Sequence, residues 1–255
     1  MFTRNMPHED YFYVRPEDVQ GDTLILRKDE MHHLVRVRRK KIGSPFLAID
    51  GQGILYQCLV EQLHTQAVHA RILKRRRRVG EPNFQLTLAF ALTKGRKFDW
   101  VVEKGTEIGI SKFIPIVTER TVVPEDSVKS RRWQRIALAA MKQCGRSCLP
   151  EVQASQPIGA IWQNSGDYAL KLLAHEKSSA ALSQIIEQFL ENRHLRNRKS
   201  GILLIGPEGG FTETEVQAGL EVGFRKLGLG PRRLRSETAA LLGTALILEK
   251  LGEYN

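Results

Sequence analysis

Gly201-Ile-Leu-Leu-Ile205, followed directly by Gly206-Pro-Glu-Gly-Gly-Phe211, is the stretch that decides the fold class. Its first five residues form an apolar run with the length of a buried strand, and the glycines after them predict a tight loop. Thr212 and Glu215 have the spacing of a capping box, which predicts that a helix begins there. A buried strand, a glycine loop and a helix in succession indicate an α/β fold.

The same alternation of strands and helices continues on both sides of this stretch. Apolar runs predict strands over residues 84–92, 112–117, 168–174 and 224–229. Helical periodicity covers residues 96–109, 130–144 and 178–190, and a last helix begins at Ser236. These elements predict a largely parallel sheet. The last helix is apolar nearly all round, so we hypothesise that it is buried in the core or against a second subunit, in a homodimer.

The first 80 residues have a different pattern, with short strands and glycine turns. Period-two patterns predict strands over residues 22–27, 45–50, 54–62 and 67–73. A short helix is predicted to begin near Asp29, and the strands together suggest a small barrel. Because the charge block Lys74–Arg78 is followed by glycine and proline, it is interpreted as a linker. The chain is therefore predicted to divide into domains over residues 1–80 and 81–255.

The composition bounds the function as well as the fold. The 255 residues include 39 Lys and Arg against 28 Asp and Glu, which gives a formal net charge of +11. No apolar run reaches the roughly 18 residues that a membrane-spanning helix needs, so a transmembrane protein is excluded. The polar start of the chain, acidic by residue 10, predicts neither a signal peptide nor a transit peptide. Three cysteines do not make a disulfide scaffold, and a cytoplasmic protein is expected.

Two basic runs concentrate positive charge in the first 80 residues. They are Arg36-Val-Arg-Arg-Lys-Lys41 and Lys74-Arg-Arg-Arg-Arg78. Such runs favour contacts with nucleic-acid phosphates, and a solvated face is the alternative for either run alone. No metal site is predicted, because Cys144 and Cys148 lack the usual ligand spacing and no second cluster accompanies them.

A second glycine-rich segment, Leu227–Thr238, lies at the end of the predicted strand over residues 224–229. Both glycine segments therefore lie at the carboxyl ends of strands, which is the edge where open α/β sheets bind ligands. The first lacks the Lys-Ser/Thr of a P-loop, and the second lacks the third glycine of a dinucleotide loop. Neither an NTPase nor a dinucleotide enzyme is indicated. From these residues alone, a ligand site and a pair of plain turns remain alternatives.

The two glycine segments resemble the signature of the RsmE family, bacterial ribosomal RNA methyltransferases of the SPOUT superfamily. The signature corresponds to Leu203–Phe211 and Leu229–Ala239. The resemblance covers nearly the whole chain and extends through His33–Arg38, Lys94, Lys104, Glu107, Gly109, Trp133, Gln143, Arg146 and Pro150. Lys142 departs from the family pattern, in which an acidic residue is expected beside the glutamine.

This resemblance implies both a fold and a reaction. The fold is α/β, with a C-terminal SPOUT domain that contains a deep trefoil knot and a small N-terminal PUA-like β-barrel that binds RNA. The reaction is methylation by S-adenosylmethionine at N3 of one uridine in the decoding region of 16S ribosomal RNA. The assembled small subunit is the preferred substrate. A homodimer is implied, and neither a membrane nor a metal is expected as a partner.

The resemblance also assigns roles to individual residues. Donor binding is expected of Leu173, Gly206, Pro207, Glu208, Gly210, Leu229, Gly230 and Leu234. Arg235 is the candidate for stabilising negative charge on the uracil oxygens, and Glu237 is a candidate general base. RNA contacts are expected of His33, Arg36, Arg38, Arg75, Arg76, Arg77 and Arg78.

Other interpretations remain open for these residues and for the whole chain. Arg235 could cap a backbone carbonyl, and Glu237 could favour the last helix simply by lying in its first turn. A second enzyme interpretation keeps the SPOUT fold but places the target in transfer RNA or on a ribose 2′-hydroxyl. A third is a non-catalytic RNA-binding protein that acts in subunit assembly, for which the glycine segments would be turns.

Overall fold

The computed structural model describes residues 10–122, 129–176, 178 and 180–254. The chain divides into two compact units. The first unit comprises the described residues up to Glu81 together with Leu138–Leu149, and the second comprises those of Pro82–Ala137 and those from Pro150 on. The predicted domain boundary at residue 80 stays a prediction, and the structure adds that a later segment of the chain belongs to the first unit.

The first unit is built on a six-stranded sheet. Its strands are β1 (Tyr11–Tyr13), β2 (Val19–Gln20), β3 (Thr23–Arg27), β4 (Pro45–Ile49), β5 (Ile54–Leu63) and β6 (Ala67–Arg77). They pair in the order β1-β4-β5-β6-β3-β2, with only β1 and β4 parallel. Helix α1 (Lys28–His32) continues into a π-helical turn over His33–Val37. Strands β1 and β2 are at the two ends of this order, and closure of the sheet into a barrel stays a prediction.

The basic run at the end of β6 is part of the strand and not a linker, so that interpretation was wrong. Lys74–Arg77 pairs along the full length of Ile54–Gln57 on β5. Backbone hydrogen bonds do not depend on side-chain polarity, so β6 continues after its apolar alternation ends. The neighbouring strand β3 pairs with β6 only as far as Arg71, so Lys74–Arg77 has a paired strand on one side only.

A buried ion pair fixes the segment after Met141 within the first unit. Arg146 and Glu81 are each only 3% exposed, and Arg146 Nη2 lies 2.8 Å from Glu81 Oε2. The other carboxylate oxygen of Glu81 accepts a hydrogen bond of 2.8 Å from the backbone N–H of Cys148. Met141 packs with Ile49 in an apolar cluster of the same unit. The carboxylate of Glu81 therefore pairs with a buried cation and accepts a hydrogen bond from a backbone N–H.

The second unit is built on a parallel sheet. Its strands are β7 (Gln85–Ala91), β8 (Lys112–Val117), β9 (Glu151–Val152), β10 (Gln156–Pro157), β11 (Leu170–Ala174), β12 (Ser200–Ile205) and β13 (Arg225–Leu227). Its helices are α2 (Lys97–Ile108), α3 (Lys129–Cys144, which ends in the first unit), α4 (Ile158–Gln163), α5 (Leu182–Glu191), α6 (Arg193–Arg196), α7 (Glu213–Glu221) and α8 (Ser236–Lys250). The strand order is β10-β8-β7-β12-β11-β13, with β9 beside β8.

The predicted parallel sheet is confirmed, since every recorded pairing within it is parallel. The capping box is also confirmed, with Thr212 and Glu215 bonding to each other's backbone N–H. Helix α5 begins at Leu182, four residues later than predicted. Helix α8 buries one face and leaves Leu242 and Leu246 each 37% exposed. The homodimer and the knot stay predictions.

The strand order determines which loops become neighbours. In a parallel sheet all strands end at the same edge, so the loops after adjacent strands lie side by side. Strands β12, β11 and β13 are adjacent, and the two glycine segments follow β12 and β13. On the other side of β12, strand β7 leads into α2. No described helix has the length and hydropathy of a membrane-spanning segment.

Candidate active site

A cavity of about 540 Å³ lies where the loops after β11, β12 and β13 meet. This volume is within the range that accommodates small ligands and cofactors. Its lining comprises Arg120, Ala174, His175, Glu176, Leu227, Glu213, the segment Ile205–Phe211, and Leu229, Gly230, Arg232, Arg233, Leu234, Arg235, Ser236 and Ala239. The two glycine segments therefore face one cavity, which favours the ligand-site interpretation over that of plain turns.

The first glycine loop is shaped by two glycines with different requirements. A Cβ at Gly206 would lie 3.2 Å from the ring of Phe211, so a side chain there would require the ring to move by a few tenths of an ångström. Gly210 has a φ of +69°, a backbone conformation that residues with a Cβ rarely adopt. Its N–H donates to the carbonyl of Pro207 at 2.9 Å and closes the turn.

The second glycine loop is held from two sides. A Cβ at Gly228 would overlap the carbonyl oxygen of Ser178, so the backbone approaches that segment as only glycine permits. The side chain of Leu229 lies beside Gly243 of α8, where a Cβ would be 3.6 Å from it. Gly230, with a φ of +103°, then turns the chain back along the cavity.

The structure places most of the predicted donor-binding residues on this cavity. Those that line it are Gly206, Pro207, Glu208, Gly210, Leu229, Gly230 and Leu234. Leu173 does not line it, because its side chain is 1% exposed and packs in the core of the sheet with Phe224. The next residue, Ala174, lines the cavity instead, as expected for the alternation of side chains along a strand.

Arg235 places a guanidinium at the cavity wall. Among the described residues its guanidinium makes no ion pair or side-chain hydrogen bond, and no side-chain cap is recorded at the start of α8. Two other arginines of the lining are engaged, since Arg233 lies 3.9 Å from Glu176 and Arg120 donates to the carbonyl of Gly209 at 2.6 Å. Arg232, which also lines the cavity, has no recorded partner among the described residues. An unpaired guanidinium is available to a ligand oxygen, and the carbonyl-capping alternative has no support in the described contacts.

Lys97 links the first glycine loop to the last helix. Its Nζ donates to Glu208 Oε1 at 2.6 Å and lies 3.8 Å from Glu237 Oε2. This hydrogen bond raises the pKa of Lys97 and lowers the pKa of Glu208. Glu237, in the first turn of α8, also accepts a bond of 3.2 Å from Ser236 Oγ. It is not among the lining residues.

The predicted RNA-binding residues lie in the first unit and differ in how far they are engaged. Arg38 pairs with Asp10, and His33 Nε2 lies 3.6 Å from the same carboxylate. Arg75 pairs with Asp22 at 2.9 Å. Among the described residues, no ion-pair or hydrogen-bond partner is recorded for the side chains of Arg36, Lys74, Arg76 and Arg77. Their charges are the ones most available to phosphates.

Comparison with known proteins bears on what this arrangement does. A family model described as an RNA methyltransferase domain matches residues 80–248, and one described as an RNA methyltransferase PUA domain matches residues 26–73. Ribosomal RNA small subunit methyltransferase E of Synechocystis sp. is 32% identical over 235 residues, which cover 92% of this chain and 75% of the relative. The chain belongs to the ribosomal RNA small subunit methyltransferase E family.

Further comparisons agree with this family. The methyltransferase E of Bacillus subtilis is 30% identical over 237 residues, covering 89% of this chain and 90% of the relative. The crystal structure of methyltransferase E from Neisseria gonorrhoeae, bound to S-adenosyl methionine, matches with a TM-score of 0.81 at 28% identity. That match covers 95% of this chain and 98% of the other.

Membership in the methyltransferase E family confirms two predictions, the fold and the class of reaction. The fold is an α/β SPOUT methyltransferase domain with an N-terminal PUA domain. The protein is an enzyme, and its reaction is methyl transfer to ribosomal RNA. In the described part of the chain, no cluster of three or more His, Cys, Asp or Glu side chains could hold a metal ion.

Proposed function

We propose that this enzyme transfers a methyl group from S-adenosylmethionine to N3 of one uridine in the decoding region of 16S ribosomal RNA. The assembled small subunit in the cytoplasm is its substrate, and the active protein is a homodimer. The observation that carries the proposal is the unpaired guanidinium of Arg235 on a glycine-lined cavity, in a chain of the methyltransferase E family.

The cavity fits the methyl donor in size and in chemistry. Leu229 and Leu234 offer apolar surface for an adenine ring, and the glycine loops expose backbone groups for its polar edges. A Cβ at Gly206 would crowd Phe211 and the loop that encloses this space. When bound, S-adenosylmethionine supplies an electrophilic methyl group.

Gly206→Val is expected to weaken donor binding at least tenfold without unfolding the protein. The added methyl groups would displace Phe211 and reshape the loop, whereas the strands that carry the loop keep their pairing. Calorimetric titration with S-adenosylmethionine measures the affinity, and circular dichroism verifies the fold. Gly159→Val is the matched control, because a Cβ at Gly159 meets nothing within 4 Å and the residue lies outside the cavity. Equal affinities for both variants would contradict the donor site.

The acceptor nitrogen of uracil must be deprotonated with the assistance of protein groups. N3 of uracil carries a proton at neutral pH, and its removal places negative charge on the flanking carbonyl oxygens. Arg235 stabilises that charge, and one such group is typically worth about 3 kcal/mol in the transition state. Glu237 takes the proton, directly or through a water. The N3 lone pair then forms the new N–C bond to the methyl group as the C–S bond breaks and its electron pair goes to sulfur.

The first unit supplies phosphate contacts through its basic strand and the π-helical turn. Lys74, Arg76 and Arg77 are cations with no recorded partner on a segment of β6 that has a free side. Arg36 and the Asp10-paired residues His33 and Arg38 form a second basic group. π-Helical turns occur frequently at functional sites. Loosely paired or single-stranded RNA suits the reaction because N3 is reached only after the base leaves its stack.

Replacing Arg76 and Arg77 together by alanine is expected to weaken RNA binding and to flatten its salt dependence. Each lost phosphate contact lowers the slope of log K against log salt by about 0.7 to 0.9. Filter binding of a 16S fragment at several salt concentrations measures both quantities. The control pair, Arg193 and Arg196 on α6, removes the same charge. If both pairs give the same slope as the unmodified protein, β6 is only a solvated surface.

The reaction itself is tested by identifying the product. The protein is incubated with labelled S-adenosylmethionine and small subunits from a strain that lacks the modification, and the digested RNA is analysed by mass spectrometry. 3-Methyluridine is the expected nucleoside. A different methylated nucleoside would replace the proposed target with another RNA site or a ribose 2′-hydroxyl. If no transfer and no donor binding occurred, the non-catalytic assembly factor would be favoured.

A further inference from the structure

Three charged side chains meet beside the cavity, each from a different element. Lys97 is the first residue of α2, which follows β7; Glu208 lies in the loop after β12; and Glu237 lies in the first turn of α8. Strands β7 and β12 are neighbours, so the parallel sheet brings the first two elements together. The ammonium group lies 2.6 Å from one carboxylate oxygen and 3.8 Å from the other.

Arg235 lies within electrostatic reach of the same group, two residues before Glu237. The hydrogen bond that Lys97 donates to Glu208 raises the pKa of Lys97 most, and the charge of Arg235 has a smaller, opposing effect. Carboxylates normally attract a guanidinium, since charge-assisted pairs of this kind are among the stronger hydrogen bonds. Arg235 nevertheless has no recorded partner among the described residues, whereas Lys97 engages both carboxylates.

We propose that Lys97 is a positioning residue for methyl transfer: by neutralising Glu208 and Glu237, its ammonium group leaves Arg235 unpaired and available to the acceptor base. This inference rests on the proposed function and adds a residue to it. Without the ammonium, Arg235 turns to one of the two carboxylates, and the stabilising charge leaves the uracil oxygens. Lys97 itself is not among the residues that line the cavity.

If the role of Lys97 were purely structural, removing its ammonium group would lower the stability of the fold. Its side chain is 31% exposed and that of Glu208 is 57% exposed, and exposed ion pairs of this kind contribute little to stability. Helix α2 is anchored instead by the buried side chains of Phe98, Val101 and Val102. Removing the ammonium should therefore leave the fold intact and act on the rate through Arg235.

The test compares Lys97→Met with Lys97→Arg and Lys104→Met. Lys104 is the matched control, because it lies on the same helix and also pairs with two carboxylates, those of Glu103 and Glu107 at 2.8 and 2.9 Å. Lys97→Met is expected to lower kcat about tenfold with donor affinity within twofold, a size typical of coupled neighbours. Lys97→Arg keeps at least half of kcat because it keeps a cation, and Lys104→Met matches the unmodified enzyme.

A double-mutant cycle separates positioning from simple additivity. In an Arg235→Ala background, measured by single turnover, Lys97→Met is expected to change the rate less than twofold, because no guanidinium remains to be diverted. A full tenfold loss in that background, or an unchanged kcat for Lys97→Met alone, would overturn the inference. If the unmodified enzyme transfers no methyl group to uridine, the proposed function fails instead, so the two failures are distinct.

Discussion

Arg235→Ala is expected to lower kcat by about 10² to 10³-fold while the affinity for S-adenosylmethionine stays within twofold. The guanidinium lines the cavity wall, and among the described residues it has no protein partner to which its charge is already committed. Its loss removes stabilisation of the charge that develops on the uracil oxygens. Donor contacts are expected to persist, since Gly206 and Leu229 hold their loops independently of this side chain.

Single-turnover methylation of small subunits and calorimetric titration with the donor measure the two quantities. Arg225→Ala is the matched control, because Arg225 is exposed and lies on β13 outside the cavity, and within the described part of the chain its recorded hydrogen bond is to Gln188. Arg235→Lys keeps the charge but not the fork of donors, so an intermediate rate is expected. An alanine variant with a rate equal to that of Arg225→Ala would remove Arg235 from the reaction.

Glu81→Ala is expected to lower the free energy of unfolding by about 3 to 5 kcal/mol. Arg146 would keep its charge at a site where only 3% of the side chain is exposed, and it would lose the carboxylate oxygen that lies 2.8 Å from its Nη2. The N–H of Cys148 would also lose its acceptor at 2.8 Å. Breaking a buried pair from one side is costly because the remaining charge cannot regain its hydration.

Urea denaturation followed by circular dichroism measures the change. Glu151→Ala is the control, since Glu151 pairs with Lys112 at 3.0 Å but the two side chains are 55% and 33% exposed, and its loss should cost under about 1 kcal/mol. Replacing both buried partners, as in Glu81→Leu with Arg146→Met, should destabilise the protein less than Glu81→Ala alone. Equal midpoints for the Glu81 and Glu151 variants would show that the buried pair does not stabilise the first unit.

Local signals account for the part of the fold that was predicted from the sequence. The apolar run over residues 201–205, the glycines after it and the capping box at Thr212 act over a few residues, and the structure has all three. The basic end of β6 was missed because its partner strand β5, and not its own side chains, determines it. Strands as short as Glu151–Val152 carry too few residues for a period to be detected.

The candidate site, like the fold, was predicted from the sequence only where local signals determine it. Glycines of the two loops could be found because close backbone approach restricts the residue type, as at Gly206. Lys97 was missed because its carboxylate partners are 111 and 140 positions away in the chain. Its place at the carboxyl end of β7, next to β12, was the available signal, but the strand order was needed to use it. The apolar run over residues 168–174 predicted where β11 ends. It did not show that Ala174, and not Leu173, faces the cavity.

Reverse transcription across the 16S RNA of treated small subunits is the most direct test of methylation at N3 of a uridine. A methyl group at N3 occupies the pairing edge of uracil, so the transcript should stop at a modified uridine. One new stop is expected in the decoding region; it should depend on S-adenosylmethionine and disappear with Arg235→Ala. If the transcript reads through the decoding region although the RNA has taken up labelled methyl groups, the enzyme does not methylate N3 of a uridine there.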